Sequence, residues 1–150
     1  MVGRNRRAEG GIVGGFEGTP KDLVERLFRG LAARDADAFA EFMAVDGVVE
    51  FPYRLPELPA RVEGREAIRE FLAVAWKEPV GEVHETFPRV YETVDPELFF
   101  VENEVDRTLP NAERERVPAS INVVRVRDGE VTLFRDYLDT ARLAGILDRA

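Results

Sequence analysis

The stretch from Ile121 to Asp139, INVVRVRDGEVTLFRDYLD, constrains the fold more than any other part of the chain. Two runs of alternating apolar and polar residues meet at Asp128-Gly129, and a turn pair of that kind between β-branched runs predicts a β-hairpin. Side chains alternate across a strand. Thr132, Phe134 and Asp136 are therefore expected on one face of the second strand, and Val131, Leu133, Arg135 and Tyr137 on the other. Asp136 is either a solvated outer-face residue or a carboxylate held in a pocket; the strand alone favours the solvated reading, because Asp is rarely buried unpaired. The turn decides what faces it. A two-residue loop pairs Asp136 with Ile121, whereas a three-residue loop with Gly129 in a bulge pairs it with Ser120 and puts Asn122 and Val124 on its face. The bulged form is preferred, since it places hydrogen-bonding groups near the acid.

A chain of 150 residues suffices for one domain with a real core and is short for two. Hydrophobic residues at 45% and charged residues at 33% are globular values. The net charge of −8 argues against nucleic acid, which calls for a clustered basic surface. Without cysteine there is no disulfide and no thiolate chemistry, and the single histidine, His84, leaves little for a metal site. No apolar run approaches a membrane span and no apolar leader is visible, so a cytoplasmic protein away from membranes is expected.

Met1 to Gly18 is rich in arginine and glycine and is read as a flexible tail, leaving residues 19–150 as the domain. Thr19-Pro20 predicts a helix start, and Leu23, Val24, Leu27, Phe28 and Leu31 recur at helical spacing. Asp35 or Asp37 can cap a second helix with Phe39, Phe42 and Met43 inward. Val48 to Phe51 reads as a short strand, and prolines at 52, 56 and 59 then exclude regular structure. Gly64 precedes a third helix, Arg65 to about Lys77. After Gly81 the pattern is strand-like: Glu82 to Val94, with Pro88 marking a bend or an edge, then Leu98 to Leu109, then the hairpin, with Ala141 to Leu147 as a terminal helical turn. Helices followed by consecutive strands indicate an α+β domain.

In Leu98 to Leu109, Phe100, Glu102, Glu104 and Asp106 share one face, and Phe99, Val101, Asn103 and Val105 the other. The plain reading makes the second face core and the first solvated, since gathering carboxylates without cations costs heavily in desolvation. The functional alternative brings Glu104 and Asp106 to Asp136 in a concavity, where adjacent carboxylates could not all ionise and would supply an acid and a base together.

The segments ARDADAFAEFMAVDGVVEFP, VEGREAIREFL and DGEVTLFRDYLD, in that order and spacing, resemble the superfamily of nuclear transport factor 2, ketosteroid isomerase, SnoaL-like polyketide cyclases and limonene epoxide hydrolase. The resemblance implies a cone-shaped, cystatin-like α+β fold: a curved antiparallel sheet wrapped around three N-terminal helices, with an internal pocket. VENEVDRTLP followed by LFRDYLD looks most like limonene epoxide hydrolase, and by that match Asp136 is the base and Asp106 the acid. The family's linking arginine falls on Glu104, and its water-holding tyrosine and asparagine on Val49 and Phe51. Phe51 also occupies the place of the general-base aspartate of ketosteroid isomerase. VYETVDPELFFVE is similar to the small phenazine-pathway proteins, whose acid/base glutamate falls on Asp136 and whose histidine falls on Phe71.

The expectation is a homodimeric enzyme, paired through the outer sheet face around Tyr137 and Leu133, that needs no metal or organic cofactor. It would act by carboxylate acid/base catalysis on a small apolar oxygenated molecule such as an epoxide, enone or polyketide-like ketone. Asp136, Asp106 and Glu104 are the candidate catalytic residues; Phe134, Asn122, Ser120, Val124, Phe71, Trp76, Tyr53 and Phe51 are the candidate lining. His84 and Tyr53 each have a plain reading as well, a solvated histidine and a tyrosine packed on proline. Two other classes compete: a binding or accessory protein using the same pocket without chemistry, and a dimerisation module with a filled core.

Overall fold

The computed structural model describes residues 12–13, 16–53, 55–77 and 81–147. Within the segment read as a tail, Ile12–Val13 (β1) and Phe16–Glu17 (β2) form a short antiparallel ladder; Met1 to Gly11 lie outside the described residues.

Helix α1, Pro20–Gly30, starts where the sequence signals it. Thr19 accepts from the Asp22 backbone N–H at 3.1 Å, and Asp22 accepts from that of Thr19 at 2.9 Å, so two orphan donors are satisfied reciprocally. Its Leu23, Val24, Leu27 and Phe28 are fully buried. A 3-10 turn, Leu31–Ala33, leads to α2, Ala36–Phe42, capped by Asp35. Here the sequence reading needs correcting, because Met43 does not continue the helix but opens an eight-residue strand, β3, Met43–Glu50. The strand owes its length to a partner far along the chain, β8 (Glu130–Leu138), with which it pairs in parallel. At Gly47 a Cβ would lie 3.0 Å from the carbonyl oxygen of Val131, so only glycine admits this approach without movement. Arg65 fastens α3, Arg65–Ala75, to the same junction: its Nε donates to the Met43 carbonyl and a terminal nitrogen to Glu130, both at 2.8 Å.

The remaining strands are β4 (Arg61–Glu63), β5 (Glu82–Glu92), β6 (Leu98–Thr108) and β7 (Arg114–Arg127). The six-stranded sheet runs β4-β3-β8-β7-β6-β5, antiparallel except at β3-β8, and a terminal helix α4, Thr140–Leu147, follows β8. Pro88 sits in the edge strand β5, where a missing N–H costs least. The buried core joins α1, α2 and α3 to one sheet face through Val49, Phe99, Val101, Val124, Val126, Val131 and Phe134. This is the α+β architecture that the sequence predicts.

Two register shifts, one between β7 and β8 and one between β6 and β7, set which side chains of these strands point inward together. At the hairpin tip Asp128 and Gly129 both have positive φ, 54° and 76°, as a two-residue type I′ turn requires. The loop is thus the shorter of the two forms considered, and the extra residue lies in β8 instead: Arg125 pairs with Leu133 but Val126 with Val131, leaving Thr132 bulged. The bulge moves Val131, not Thr132, onto the inner face with Phe134, and it sets Asp136 opposite Asn122, where an unbulged two-residue loop would give Ile121 and the expected three-residue loop Ser120. A second shift, at Ala119 in β7, lies between the Asn103–Ser120 and Glu104–Pro118 pairs.

Candidate functional site

Asp136 lies on the inner side of β8, two residues beyond the buried Phe134 and opposite the buried Asn122. Its Oδ1 is closed off from solvent and has no hydrogen-bond partner. Desolvation pushes its carboxyl up to about 7, and a hydrogen bond from the Asn122 side chain offsets only part of that rise. Among the described residues no cation contributes to holding its charge.

Asn122 is itself held. The Ser120 hydroxyl donates to its Oδ1 at 2.7 Å, which leaves the Asn122 NH₂ group as the donor toward Asp136. Across the ladder from Ser120 stands Asn103 in β6, 5% exposed, in the inward register of Phe99 and Val101. Its Oδ1 also lacks a partner. Asn103, Ser120, Asn122 and Asp136 thus make a polar strip across three strands, on a face whose buried residues are otherwise apolar apart from Thr86 in β5, which donates to the Phe28 carbonyl. Asn103 is not among the site residues predicted from the sequence, although an asparagine in register with Phe99 and Val101 is a visible signal.

Asp106 and Glu104 are not brought to Asp136. They occupy the opposite register of β6 and face arginines across the ladder. Arg114 donates to Asp106 at 2.8 Å and Arg116 to Glu104 at 2.9 Å. The hydrogen bond from Arg114, backed by its charge and those of His84 and Arg116, holds the Asp106 carboxyl below the usual range. Glu104 lines a groove of about 420 Å³ at the β5 edge with Arg29, Phe87, Arg89 and Arg116, whose guanidinium carbon lies 3.7 Å from the centroid of the Phe87 ring. The plain reading of that carboxylate row, a charged outer face, is the one that fits. His84 belongs there too, its Nε2 2.8 Å from the Thr108 hydroxyl.

The aromatic candidates divide. Phe134 is 5% exposed, stacked on Phe28 with ring centroids 5.5 Å apart and edge-on to Phe39 at 5.3 Å, so its ring is core. Trp76 packs edge-on to Phe39 at 6.0 Å and Phe51 against Phe71 at 5.8 Å. Val124 is fully buried. Tyr53 is 58% exposed and meets Tyr137 at 5.3 Å, away from the interior. Of the arginines that could replace the family's missing one, Arg107 donates to Glu115 at 3.2 Å, and Arg54 lies outside the described residues.

A carboxyl titrating near neutrality, with one partnered and one free oxygen, can both accept and return a proton at physiological pH. The fold around it has relatives. Residues 24–134 match the family model of the SnoaL-like domain, and the chain belongs to that family. An uncharacterised PhzA/B-like protein of Pseudomonas aeruginosa is 32% identical over 122 residues, 81% of this chain and 85% of that one. Among solved structures, a candidate isomerase from Bacillus subtilis superposes with a TM-score of 0.73 at 22% identity, covering 86% of this chain and 92% of the other. The Δ5-3-ketosteroid isomerase of a Mycobacterium species gives 0.60 at 20% identity, covering 81% and 95%. These similarities define the fold and the family. Among the described residues no helix is long and apolar enough to cross a membrane, and no group of histidine and acidic side chains could hold a metal.

Proposed function

We propose that this protein is an enzyme of the isomerase or cyclase type, in which Asp136 alone moves a proton on a small, mostly apolar ketone or enone. The observation that carries this reading is the Asp136 carboxyl: pushed up to about 7, with one oxygen unpartnered and, among the described residues, no cation holding its charge. A hydrolytic reading with Asp106 as partner acid loses its support, because Asp106 is engaged by Arg114. Shifting a proton between two carbons of an enone needs only one such group, which removes the proton from one carbon and returns it to another.

The test is a panel of β,γ-unsaturated ketones followed by the absorbance of the conjugated product. Turnover should rise with pH through an apparent pKa near 7 as the base form accumulates, and Asp136→Asn should lower it by about 10² to 10⁴-fold. A ligand that binds wild type and Asp136→Asn alike without turnover would replace this reading by the binding-protein one, which is favoured by there being no second carboxylate at Asp136 among the described residues.

The same reading includes a homodimer through the outer sheet face. Tyr91, Phe100 and Ile121 are 41%, 46% and 54% exposed, and Tyr91 pairs with Phe100, which pairs with Val123, so the apolar surface is continuous across three strands. Sedimentation should show a dimer for wild type and a monomer for Ile121→Glu; a monomer in both would remove the pairing.

A further inference from the structure

The groove of about 420 Å³ at the β5 edge takes no part in proton transfer at Asp136, yet its volume falls within the roughly 300–1,000 Å³ that small-molecule sites occupy. Six of its nine lining residues are charged, with Arg29, Arg89 and Arg116 set against Glu85, Glu102 and Glu104. The groove is therefore formally neutral. Four of the six are engaged along its wall. Arg116 gives its Nε to Glu104 at 2.9 Å while lying over the Phe87 ring, the Tyr91 hydroxyl donates to Glu102 at 2.6 Å, and Arg89 donates to the same tyrosine oxygen.

Arg29 and Glu85 are not engaged in this way. The guanidinium of Arg29, in the last turn of α1, meets one carboxylate among the described residues, that of Glu25 at 4.0 Å, which is beyond hydrogen-bonding reach. Glu85 makes no hydrogen bond and no ion pair among the described residues, and its charge acts on Arg114 from a distance. Opposite charges that line one groove without pairing leave room for a ligand that carries both signs. A simple anion at Arg29 meets Glu25 and Glu85, and a simple cation at Glu85 meets Arg29, so a single charge gains at one end and is opposed at the other.

We propose that this groove is a binding site for a small zwitterion, an α-amino acid with an apolar side chain. Its carboxylate is held by Arg29, its ammonium by Glu85, and its side chain lies against Phe87 and Pro88, the two apolar residues of the lining. The assignment is independent of the Asp136 reading, since no group of the polar strip enters it.

Three compounds with one phenyl ring separate the charges: L-phenylalanine carries both, 3-phenylpropanoate the negative one and 2-phenylethylamine the positive one. By calorimetric titration of the wild-type protein at low ionic strength, L-phenylalanine is expected to bind about tenfold more tightly than either analogue, the yield of one additional hydrogen-bonded charge. Arg29→Gln should weaken L-phenylalanine by about the same factor and leave 2-phenylethylamine unchanged; Glu85→Gln should weaken L-phenylalanine equally and leave 3-phenylpropanoate unchanged. Both substitutions are of side chains outside the core, and each is the folding control for the other. Equal affinity for the three compounds, no saturable binding of L-phenylalanine, or an affinity for it that either variant leaves intact would overturn the proposal. None of these outcomes bears on Asp136, whose test is turnover.

Discussion

Asp136 and Asp106 are aspartates in long strands of one sheet, and their surroundings differ in nearly every respect. Asp136 faces the core side of β8 with an asparagine opposite it, a closed-off oxygen and a carboxyl raised to about 7. Asp106 faces the other side of β6 with Arg114 against it, and its carboxyl is held low. What separates them is strand parity, which sends one side chain to a desolvating interior and the other to a row of arginines, and the register shift at Thr132, which turns Asp136 toward Asn122. A carboxylate far from its usual titration range without a charged partner is an expense to the fold. Such an expense is characteristic of functional sites.

The largest effect expected from this contrast is on stability. Asp136 ionises near 3.8 when unfolded and at about 7 when folded, so between these values the native state binds more protons. The stability present at acid pH, where the carboxyl is protonated in both states, is then lost progressively as pH rises from about 4 to about 7, and the loss is complete above that. At about 1.4 kcal/mol per pKa unit the cost at pH 8 is on the order of 4 kcal/mol. Asp136→Asn, which cannot ionise, should therefore melt higher than wild type at pH 8, by something near ten degrees at about 2–4 °C per kcal/mol. At about pH 4.5 the two should melt almost together. A wild-type melting temperature that does not fall between pH 5 and pH 8 would mean that Asp136 is solvated, and the distinction from Asp106 would disappear.

A smaller effect sharpens the comparison from inside the polar strip. The Asn122 hydrogen bond is the one contribution that lowers the Asp136 carboxyl. Asn122→Leu should move the apparent pKa of the pH–rate profile, or of the Asp136 carboxyl carbon signal, upward by about one unit, the value of one hydrogen bond to a charged acceptor. Ser120→Ala should move it in the same direction by less, because it frees the amide to rotate without removing it. A downward movement in either variant would show that the amide does not stabilise the ionised form.

How much of the fold and of the site is legible in the sequence depends on the same physics. The Asp128-Gly129 signal locates the hairpin and the helical spacing finds α1, because both are local properties of the chain. The bulge at Thr132 has no local signature in TLFRD, so the predicted pairing and the predicted face of Val131 are each displaced. Strand parity alone puts Glu104 and Asp106 on the side away from Val101 and Asn103; the acid/base alternative, strengthened by the resemblance to limonene epoxide hydrolase, is what draws Asp106 inward. Met43 looks helical because its strand partner lies in the last part of the chain. The burial of Asp136 is a tertiary fact, and nothing within the strand could distinguish it from a solvated aspartate.

The smallest effect concerns Asp106, and its smallness is the point. Its lowered carboxyl means that the unfolded state binds the proton first, so its contribution is present above the unfolded pKa and is lost as pH falls through the folded one, in the acid range. The pair with Arg114, whose side chain is 59% exposed, lies open to water and ions, and surface pairs of this kind contribute little and are screened by salt. Asp106→Asn should leave turnover within about twofold of wild type and lower the melting temperature slightly at neutral pH and low ionic strength, a difference that ~0.5 M salt removes. Were the same substitution to cut turnover by a hundredfold with its melting temperature intact, Asp106 would be a second proton-transfer group after all. The ion pair with Arg114 would then have to open during the reaction, and the single-carboxylate mechanism would give way to a paired one.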